Sequence, residues 1–361
     1  MARREPPLST VQVAVTDGFA GVERYMCQVA GELTRRGHRV RTIGGDPGRM
    51  RAELPDSVPN RPAGNLLSAA RALVEIRGAD IVHAHMTAAE GAAWLARPLQ
   101  RAPVIATRHF ARERGSSAAA RALATVTTRA ISCDVAISRF VADSIASPSV
   151  VIPNGVPGRD QAPLVASTIV MLQRLDSEKA PAVGVRAFAL SGLGDRGWRL
   201  MVAGQGELRQ SLRHLVDELG ITGSVDLVGP VTDTDGLLER TSVLLAPAPL
   251  EPFGLSVVEA MAHGIPVVAA AGGAHLETVG GDGLLFPPGD APAAAKALVR
   301  LGDDPPLRRA VGEALRRRQQ DRFTLAGHVD RLEALYREVA DGARRPGRDR
   351  PDQGPRDAVG D

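Results

Sequence analysis

Short runs of β-branched residues alternate with longer stretches of helical periodicity along this chain, and the alternation begins twice. Strand–helix alternation of this kind builds a parallel sheet with helices on both of its faces. We therefore predict one doubly wound α/β domain over residues 1–160. The runs that predict its strands are VQVAV (11–15), RVRTIGG (39–45), ADIVHAH (79–85), APVIATRHF (102–110), CDVAIS (133–138) and SVVIPNG (149–155).

The second series predicts another doubly wound domain over residues 161–325, after a proline-containing linker at 157–166. Two such domains in series predict a ligand cleft at the carboxyl ends of the strands. Residues 326–341 predict a closing helix, and 342–361 contain almost nothing apolar, which predicts a disordered tail. The strand runs of this series are STIVML (167–172), RLMVAG (199–204), SVDLVG (224–229), SVLLAP (242–247) and PVVAA (266–270).

The composition excludes several classes of protein. No run of eighteen apolar residues predicts a membrane span, and the apolar stretch near the start is too short for a signal peptide. Cys27 and Cys133 are the only cysteines, which gives no disulfide framework, and we expect a cytoplasmic protein. Aromatic residues make up 3% of the chain, so no stacking surface for nucleic acid is expected.

The most informative segment, EPFGLSVVEAMAHGIPVVAAAGG, covers residues 251–273. If a helix begins near Gly254, the free amides of its first turn and its dipole make a phosphate site. Glu251, before that turn, could accept hydrogen bonds from sugar hydroxyls, and Glu259, inside the helix, could accept them from a ribose. On these residues alone, an amphipathic helix with two solvated acids is an equally good interpretation.

Two cations, Arg174 and Lys179, follow the first strand of the second series. Of the 44 lysine and arginine residues, only Lys179 and Lys296 are lysines, so a lysine at this position indicates a chemical requirement. An arginine fork and a lysine point charge can bracket a diphosphate. Gly204 and Gly206 end another strand in VAGQGEL, although turn geometry alone would explain them.

These segments together resemble the retaining glycosyltransferases of family 4. The resemblance rests on QRLDSEK, VAGQGEL and EPFGLSVVEAMAHGIPVVA followed by GG, and it extends through FAGVERY (19–25), RGHRV (36–40) and IPNGV (152–156). It covers nearly the whole chain. It implies an α/β structure of the GT-B fold, with two Rossmann-like doubly wound domains facing each other across a cleft.

The resemblance implies a donor site in the second domain. Arg174 and Lys179 would neutralise the donor diphosphate, and Glu259 would hold the ribose. Glu251 would hold the transferred sugar and act as a catalytic residue. The remaining donor-binding positions would be Gly204 and the amides near Phe253, Gly254 and Leu255.

The resemblance also assigns residues of the first domain. Gly21 would let the amino-terminal loop approach the donor phosphate and the acceptor. His109, in ATRHF, matches the active-site histidine of the family, and a protonated or hydrogen-bonding imidazole there could stabilise charge near the reacting sugar.

The chain departs from the family pattern at three positions. Gln173 precedes the arginine of the cation pair where glycine is usual, and Ala180 follows Lys179 where glycine is also usual. Ala20 stands before Gly21 where the family commonly has two glycines. These changes affect the expected geometry of the donor loop and leave its charged groups in place.

The implied reaction transfers a sugar from a nucleoside-diphosphate sugar, with a UDP-sugar expected, to an acceptor hydroxyl with retention of configuration. It needs no metal and no cofactor. Nucleotide-sugar 2-epimerases share the architecture and are one alternative, while a non-catalytic nucleotide-sugar-binding protein is another. A peripheral membrane contact through the arginine cluster at 35–41 and the segment 112–130 is less favoured, because that segment has few large apolar residues.

Two patterns invite a metal site. His83 and His85 end a predicted strand and, with His109, suggest zinc, but no carboxylate or thiol pattern supports them. They are expected to pack and to form hydrogen bonds instead. TDTD (232–235) matches the Asp-x-Asp of metal-dependent transferases, yet its place between a strand and a helix predicts a helix cap.

Overall fold

A computed structural model of the chain describes residues 5–111, 124–145 and 147–344. The chain divides into two compact units, residues 1–154 with 325–361 and residues 155–324. The division falls six residues before the boundary that we predicted at 160. The C-terminal helix, which we predicted as a separate closing helix over 326–341, belongs to the first unit.

The first unit contains a seven-stranded sheet with every neighbouring pair parallel. The strand order is β3-β2-β1-β4-β5-β6-β7, so the chain reverses its direction of travel across the sheet between β1 and β4. The strands are β1 (Ser9–Ala14), β2 (Arg39–Ile43), β3 (Asn60–Arg61), β4 (Ile81–His85), β5 (Val104–Arg108), β6 (Ile131–Ala136) and β7 (Ser149–Val151).

Helices of the first unit include α1 (Gly21–Arg35), α2 (Pro47–Glu53), α3 (Leu66–Glu75), α4 (Met86–Ala96), α5 (Arg139–Asp143) and a C-terminal helix, Leu325–Arg344. The C-terminal helix buries Val329, Leu332 and Tyr336 in one core with residues of α1. It continues through residues 342–344, so the first part of the tail predicted to be disordered is helical. The rest of that tail, 345–361, lies outside the described residues.

The second unit contains a six-stranded parallel sheet in the order β10-β9-β8-β11-β12-β13. This is the strand order of a doubly wound dinucleotide-binding sheet, which binds its ligand where the strand order reverses. Here the reversal falls between β8 and β11. The strands are β8 (Thr168–Leu172), β9 (Arg199–Ala203), β10 (Val225–Gly229), β11 (Val243–Ala246), β12 (Val267–Ala270) and β13 (Leu284–Phe286).

The helices of the second unit are α6 (Pro181–Ser191), α7 (Arg209–Glu218), α8 (Thr234–Leu238), α9 (Leu255–Ala262), α10 (His275–Thr278), α11 (Ala291–Asp303) and α12 (Pro305–Arg322). The segment predicted as a linker, 157–166, packs onto this unit. Ala162 and Leu164 are buried, and the amide of Ala162 donates to the carbonyl of His263 at 2.8 Å. The buried apolar side chains of Ala162 and Leu164 explain why this segment packs on the second unit. Among the described residues, no helix is long and apolar enough to cross a membrane.

A buried ionic group lies at the carboxyl end of β5 in the first unit. The guanidinium of Arg108 donates to Oδ1 of Asp134 at 2.8 and 3.0 Å and to a carboxylate oxygen of Glu90. All three side chains are at most 7% exposed. Arg108 precedes His109, so this group fixes the backbone from which the histidine projects.

Replacing Arg108 by methionine should destabilise the protein by about 3–5 kcal/mol, because it leaves two carboxylates buried without their cation. The measurement is the free energy of unfolding in urea. Arg71→Met is the matched control, since Arg71 is 85% exposed and pairs with Glu75 on the surface; its unfolding should match the parent chain. Equal stability of the two variants would contradict the importance of the buried group.

Candidate functional site

The loop after β8 positions Lys179. A 3₁₀ turn, Ser177–Lys179, begins at Asp176, whose carboxylate accepts from the amide of Lys179 at 3.3 Å. The side-chain amide of Gln173 donates to the carbonyl of Lys179 at 3.0 Å. Gln173, which replaces the glycine usual in the resembled family, therefore adds a support for the Lys179 backbone.

Ala180 follows Lys179 in the left-handed conformation, with φ 46° and ψ 45°. This geometry costs an L-residue roughly 1–2 kcal/mol relative to a right-handed one, whereas glycine adopts it freely. The backbone thus explains the glycine of the family at this position. Pro181 then begins α6, so the strained residue terminates the lysine turn and starts the next helix.

The loop after β11 positions Glu251 by backbone contact with the two glycines that follow β12. Glu251 and Gly273 form a parallel bridge, and the carbonyl of Glu251 accepts from the amide of Ala274 at 2.7 Å. A Cβ on Gly272 would lie 1.9 Å from the carbonyl oxygen of Pro249, and one on Gly273 would lie 2.5 Å from that of Glu251. Only glycines permit this approach.

Helix α9 begins directly after this loop, as the sequence predicted. Gly254 is its N-cap residue with φ 85°, and it supplies no side-chain cap. Phe253 is buried against Phe323, with ring centroids 5.8 Å apart. No side chain of the described residues caps the first amides of α9, from Leu255 onwards, so these amides can bind an anion.

Lys179 and Glu251 meet although 72 residues separate them. The lysine Nζ lies 2.6 Å from Oε2 of Glu251, and the two side chains are 17% and 14% exposed. The two loops are neighbours because β8 and β11 pair at the reversal of the sheet. The pair combines an ammonium, which can bind a phosphate, with a carboxylate, which can accept hydrogen bonds from hydroxyls.

The other predicted donor residues lie on the same loops or the next ones. Arg174 is 56% exposed and pairs with Asp176 and with Glu178, the latter at 3.5 Å, so it does not join the Lys179–Glu251 pair. Glu259 is half-buried on the second turn of α9. Gly204 has φ 144°, and a Cβ there would lie 1.8 Å from the carbonyl oxygen of Gln173, which keeps the loops after β8 and β9 in contact.

His275 lies close to Glu251 and Lys179, and our sequence analysis did not single it out. It is buried at the start of α10, and its Nδ1 lies 3.1 Å from the carbonyl oxygen of Ala270. Burial lowers the pKa of His275, and the charges of Glu251 and Lys179 act on it in opposite directions. Its position just after the carboxyl end of β12 was the available signal, because the loops that carry Lys179 and Glu251 also follow strands.

The first unit gathers the predicted histidines at the ends of β4 and β5. Nε2 of His109 lies 3.1 Å from Nδ1 of His85, while His83 bonds to Tyr336 and Thr107. The prediction that His83 and His85 form hydrogen bonds is confirmed; together with the bond from His85 to Gln12, these bonds occupy both ring nitrogens of His83 and of His85. Gly21 is the exposed first residue of α1, directly after the loop that follows β1.

These histidines are neutral near pH 7. Burial, followed by the charges of neighbouring histidines, lowers the pKa of His83 and that of His109 to about 3, and burial lowers that of His328 to about 4. Burial also places the pKa of His85 well below its usual value. His109 is therefore a hydrogen-bonding group, and the protonated form considered from the sequence is disfavoured.

The TDTD segment is a helix cap, as predicted. Asp233 accepts from the amide of Gly236 at 2.9 Å and begins α8. Asp235 pairs with Arg159 at 2.8 Å and lies 3.2 Å from Nε2 of His263. Both carboxylates thus have structural partners. In the described parts of the chain, no group of three or more histidine, cysteine, aspartate or glutamate side chains is placed to hold a metal ion.

Comparison with known proteins agrees with both units. Residues 161–318 match the family model of glycosyl transferases group 1, and residues 19–157 match that of Glycosyltransferase Family 4. HepE of Anabaena, solved with UDP and glucose, superposes with a TM-score of 0.76 at 19% identity, over 91% of this chain and 99% of that one.

Two curated relatives differ greatly in how much of them the chain covers. A D-inositol 3-phosphate glycosyltransferase of Corynebacterium glutamicum is 27% identical, over 86% of this chain and 84% of its own length. An exopolysaccharide phosphotransferase of Streptomyces coelicolor is 36% identical over 52% of this chain, but the match spans only 20% of that protein.

Together, the two sheets, the loops after β8 and β11 and the two family models identify the chain as a glycosyltransferase of the GT-B fold.

The neutral histidines predict that the protein loses stability as the pH falls below about 6.5. An unfolded histidine binds a proton near pH 6.5, whereas His83, His109 and His328 do so only near 3–4 when folded. Each should cost up to about 1.4 kcal/mol per pH unit in this window. The measurement is the urea midpoint at pH 7.5, 6.5 and 5.5, with proton uptake on unfolding.

The carboxylate of Asp235, which lies beside His263, does not contribute to the change in stability over this pH range. Hydrogen bonds from Arg159 and His263 lower the pKa of Asp235 despite its burial, so its contribution is present above about pH 4 and is lost only below that value. A midpoint that stays constant or rises between pH 7.5 and 5.5 would contradict the neutral state of the histidine cluster.

Proposed function

We propose that the protein transfers a sugar from a nucleoside-diphosphate sugar, a UDP-sugar in particular, to an acceptor hydroxyl with retention of configuration and without a metal ion. The observation that carries the proposal is the Lys179–Glu251 pair beside the uncapped start of α9. It offers one cation and a set of free amides to a diphosphate, and one carboxylate to a sugar. The solved complexes of HepE with UDP and with UDP-glucose support a donor of this class.

In the proposed mechanism, binding of the nucleotide sugar separates Lys179 from Glu251 and gives each of them a new partner. The ammonium of Lys179 moves from Glu251 to the diphosphate, where the α9 amides add further hydrogen bonds. The carboxylate of Glu251 then accepts from hydroxyls of the transferred sugar. As the sugar–phosphate bond breaks, negative charge grows on the phosphate oxygen, and a fixed cation and fixed amides stabilise this charge most strongly.

The acceptor proton has a natural destination in this scheme. The acceptor hydroxyl attacks from the face that the phosphate leaves, and the leaving phosphate oxygen takes its proton. Positioning and charge stabilisation by the protein then account for most of the rate. His109, with a pKa of about 3, is too weak a base to remove that proton at neutral pH and serves as a hydrogen-bonding group.

Lys179→Ala should weaken the binding of UDP by roughly 1.5–3 kcal/mol, because it removes a charge-assisted bond to the diphosphate. Isothermal calorimetry measures the effect. Lys296→Ala is the matched control, since Lys296 is the only other lysine and is exposed on α11. It should bind UDP as the parent chain does.

Glu251→Gln tests the exchange of partners from the other side. It removes the charge that competes for Lys179, so UDP should bind as well as before or more tightly. Any affinity that the glucose of UDP-glucose adds to that of UDP should be reduced, because the neutral amide accepts hydrogen bonds from sugar hydroxyls more weakly than the carboxylate does.

If Lys179→Ala binds UDP with unchanged affinity, Lys179 is not part of the donor site.

Incubation with UDP-glucose and D-inositol 3-phosphate in the presence of EDTA should release UDP and give an α-linked product. The first measurement is UDP release; the second is the anomeric configuration of the product by proton NMR. An inverted, β-linked product would overturn retention, and loss of activity with EDTA would overturn metal independence. UDP-glucose converted to its 2-epimer without an acceptor would indicate an isomerase.

A further inference from the structure

The carboxyl end of β8 is fixed to the loop that follows the neighbouring strand β9. The amide of Gln173 donates to the carbonyl of Ala203 at 3.1 Å, and a Cβ on Gly204 would lie 1.8 Å from the carbonyl oxygen of Gln173. Two residues further on, the amide of Leu175 donates to the carbonyl of Gln205 at 2.9 Å. The backbone from 173 to 175 is therefore held in place by its neighbour in the sheet.

A side chain links the next turn, which carries Lys179, to this fixed strand end. Within the turn, the amide of Lys179 donates to the carbonyl of Asp176 at 3.2 Å. The carbonyl of Lys179 accepts from Nε2 of Gln173 at 3.0 Å. Since a backbone carbonyl can only accept, the amide nitrogen of Gln173 must face it. The Gln173 side chain thus joins the turn to the end of β8.

Both polar groups of the peptide unit between Lys179 and Ala180 are hydrogen-bonded. Its carbonyl accepts from Gln173 at 3.0 Å, and its N–H, which belongs to Ala180, donates to the carbonyl of Ser177 at 3.2 Å. These two bonds fix the plane of the unit, and in that orientation Ala180 has φ 46° and ψ 45°. This conformation is unfavourable for alanine, because its Cβ comes too close to the following carbonyl oxygen.

A flipped peptide unit is the alternative that an alanine at 180 favours. Turning the unit over would carry φ of Ala180 into the broad region of negative φ that any L-residue adopts. It would also break the bonds to Gln173 and to Ser177. Glycine has no such preference, because it populates positive and negative φ about equally. The bond from Gln173 therefore opposes the conformational preference of Ala180, and its loss would release the turn.

We propose that Gln173 is a positioning residue for Lys179: its side-chain amide holds the peptide unit before Ala180 in the observed orientation, and thereby holds the Lys179 ammonium at the edge of the sheet. There, Nζ of Lys179 lies 2.6 Å from Oε2 of Glu251. A turn that adopts this conformation for only a fraction of the time lowers the apparent affinity of a ligand by that fraction. The consequence for a diphosphate rests on the proposed function, whereas the position of Lys179 does not.

Gln173→Met keeps the length of the side chain and removes its N–H groups. The affinity for UDP, measured by calorimetry, should fall about 5–10-fold, because the peptide unit is then free to leave the left-handed conformation of Ala180. Gln210→Met is the matched control, since Gln210 is exposed on α7 of the same unit. Its affinity for UDP should stay within about twofold of that of the parent chain.

Glycine at position 180 distinguishes this role from general support of the fold. Ala180→Gly alone should change the affinity for UDP by no more than about twofold, because Gln173 still fixes the peptide unit. In the Gln173→Met background, Ala180→Gly should restore the affinity to within about threefold of the parent, because glycine adopts the left-handed conformation freely. An unchanged affinity in Gln173→Met, or a loss that Ala180→Gly does not restore, would overturn the proposal.

The scarcity of lysine allows Lys179 to be followed by NMR without a ligand. Protein labelled with carbon-13 and nitrogen-15 lysine carries two labelled residues, Lys179 and Lys296, and Lys179→Ala assigns their signals. Gln173→Met should shift the backbone carbonyl carbon of Lys179 and speed the exchange of its ammonium hydrogens with water, while the signals of Lys296 stay in place. An ammonium of Lys179 that exchanges as in the parent chain would overturn the proposal.

The two measurements separate a failure of this proposal from a failure of the proposed function. If the parent chain binds no UDP while Gln173→Met still releases the ammonium of Lys179, the proposed function is overturned and the positioning of Lys179 stands. If the parent chain binds UDP and Gln173→Met changes neither the affinity nor the exchange of the ammonium, the positioning role is overturned and the proposed function stands.

Discussion

Parallel pairing of strands is the constraint on which both units depend, because it brings the carboxyl ends of all strands to one edge of each sheet. The loops after β8 and β11 follow neighbouring strands, and Lys179 and Glu251 therefore meet at 2.6 Å. In the first unit, β4 and β5 pair in the same way, and His85 meets His109. Residues far apart in the sequence become partners through the sheet alone.

The two sheets carry groups of different charge at that edge. In the second unit, the edge carries a partly buried ion pair and free helix amides, which suit an anionic ligand. In the first unit, the edge carries imidazoles that burial keeps neutral, and these suit uncharged hydroxyl groups. The edge of the second sheet is therefore suited to an anionic group such as a phosphate, and the edge of the first sheet to uncharged hydroxyl groups.

Local motifs predicted the backbone of the candidate donor site well. Gly254 before Leu255 predicted the start of α9, and Asp233 predicted a helix cap; the structure confirms both. The doubled glycine at 272–273 was part of the motif, but its reason, close contact with the Pro249 and Glu251 backbone, appears only in three dimensions. The αL geometry of Ala180 likewise needed the structure.

The sequence by itself determined the two α/β units, the alternation of most of their strands and helices, and Lys179, Glu251 and His109 as candidate residues, because periodicity and short motifs are local properties of the chain; it did not predict the short strands β3 and β13. Only the tertiary structure decided that the C-terminal helix completes the first core, that Arg174 pairs with its own loop, and that Tyr336 and Gln12 connect the histidines. Those contacts join residues up to 324 positions apart, and pairing across such a distance is set by packing, which no local pattern encodes.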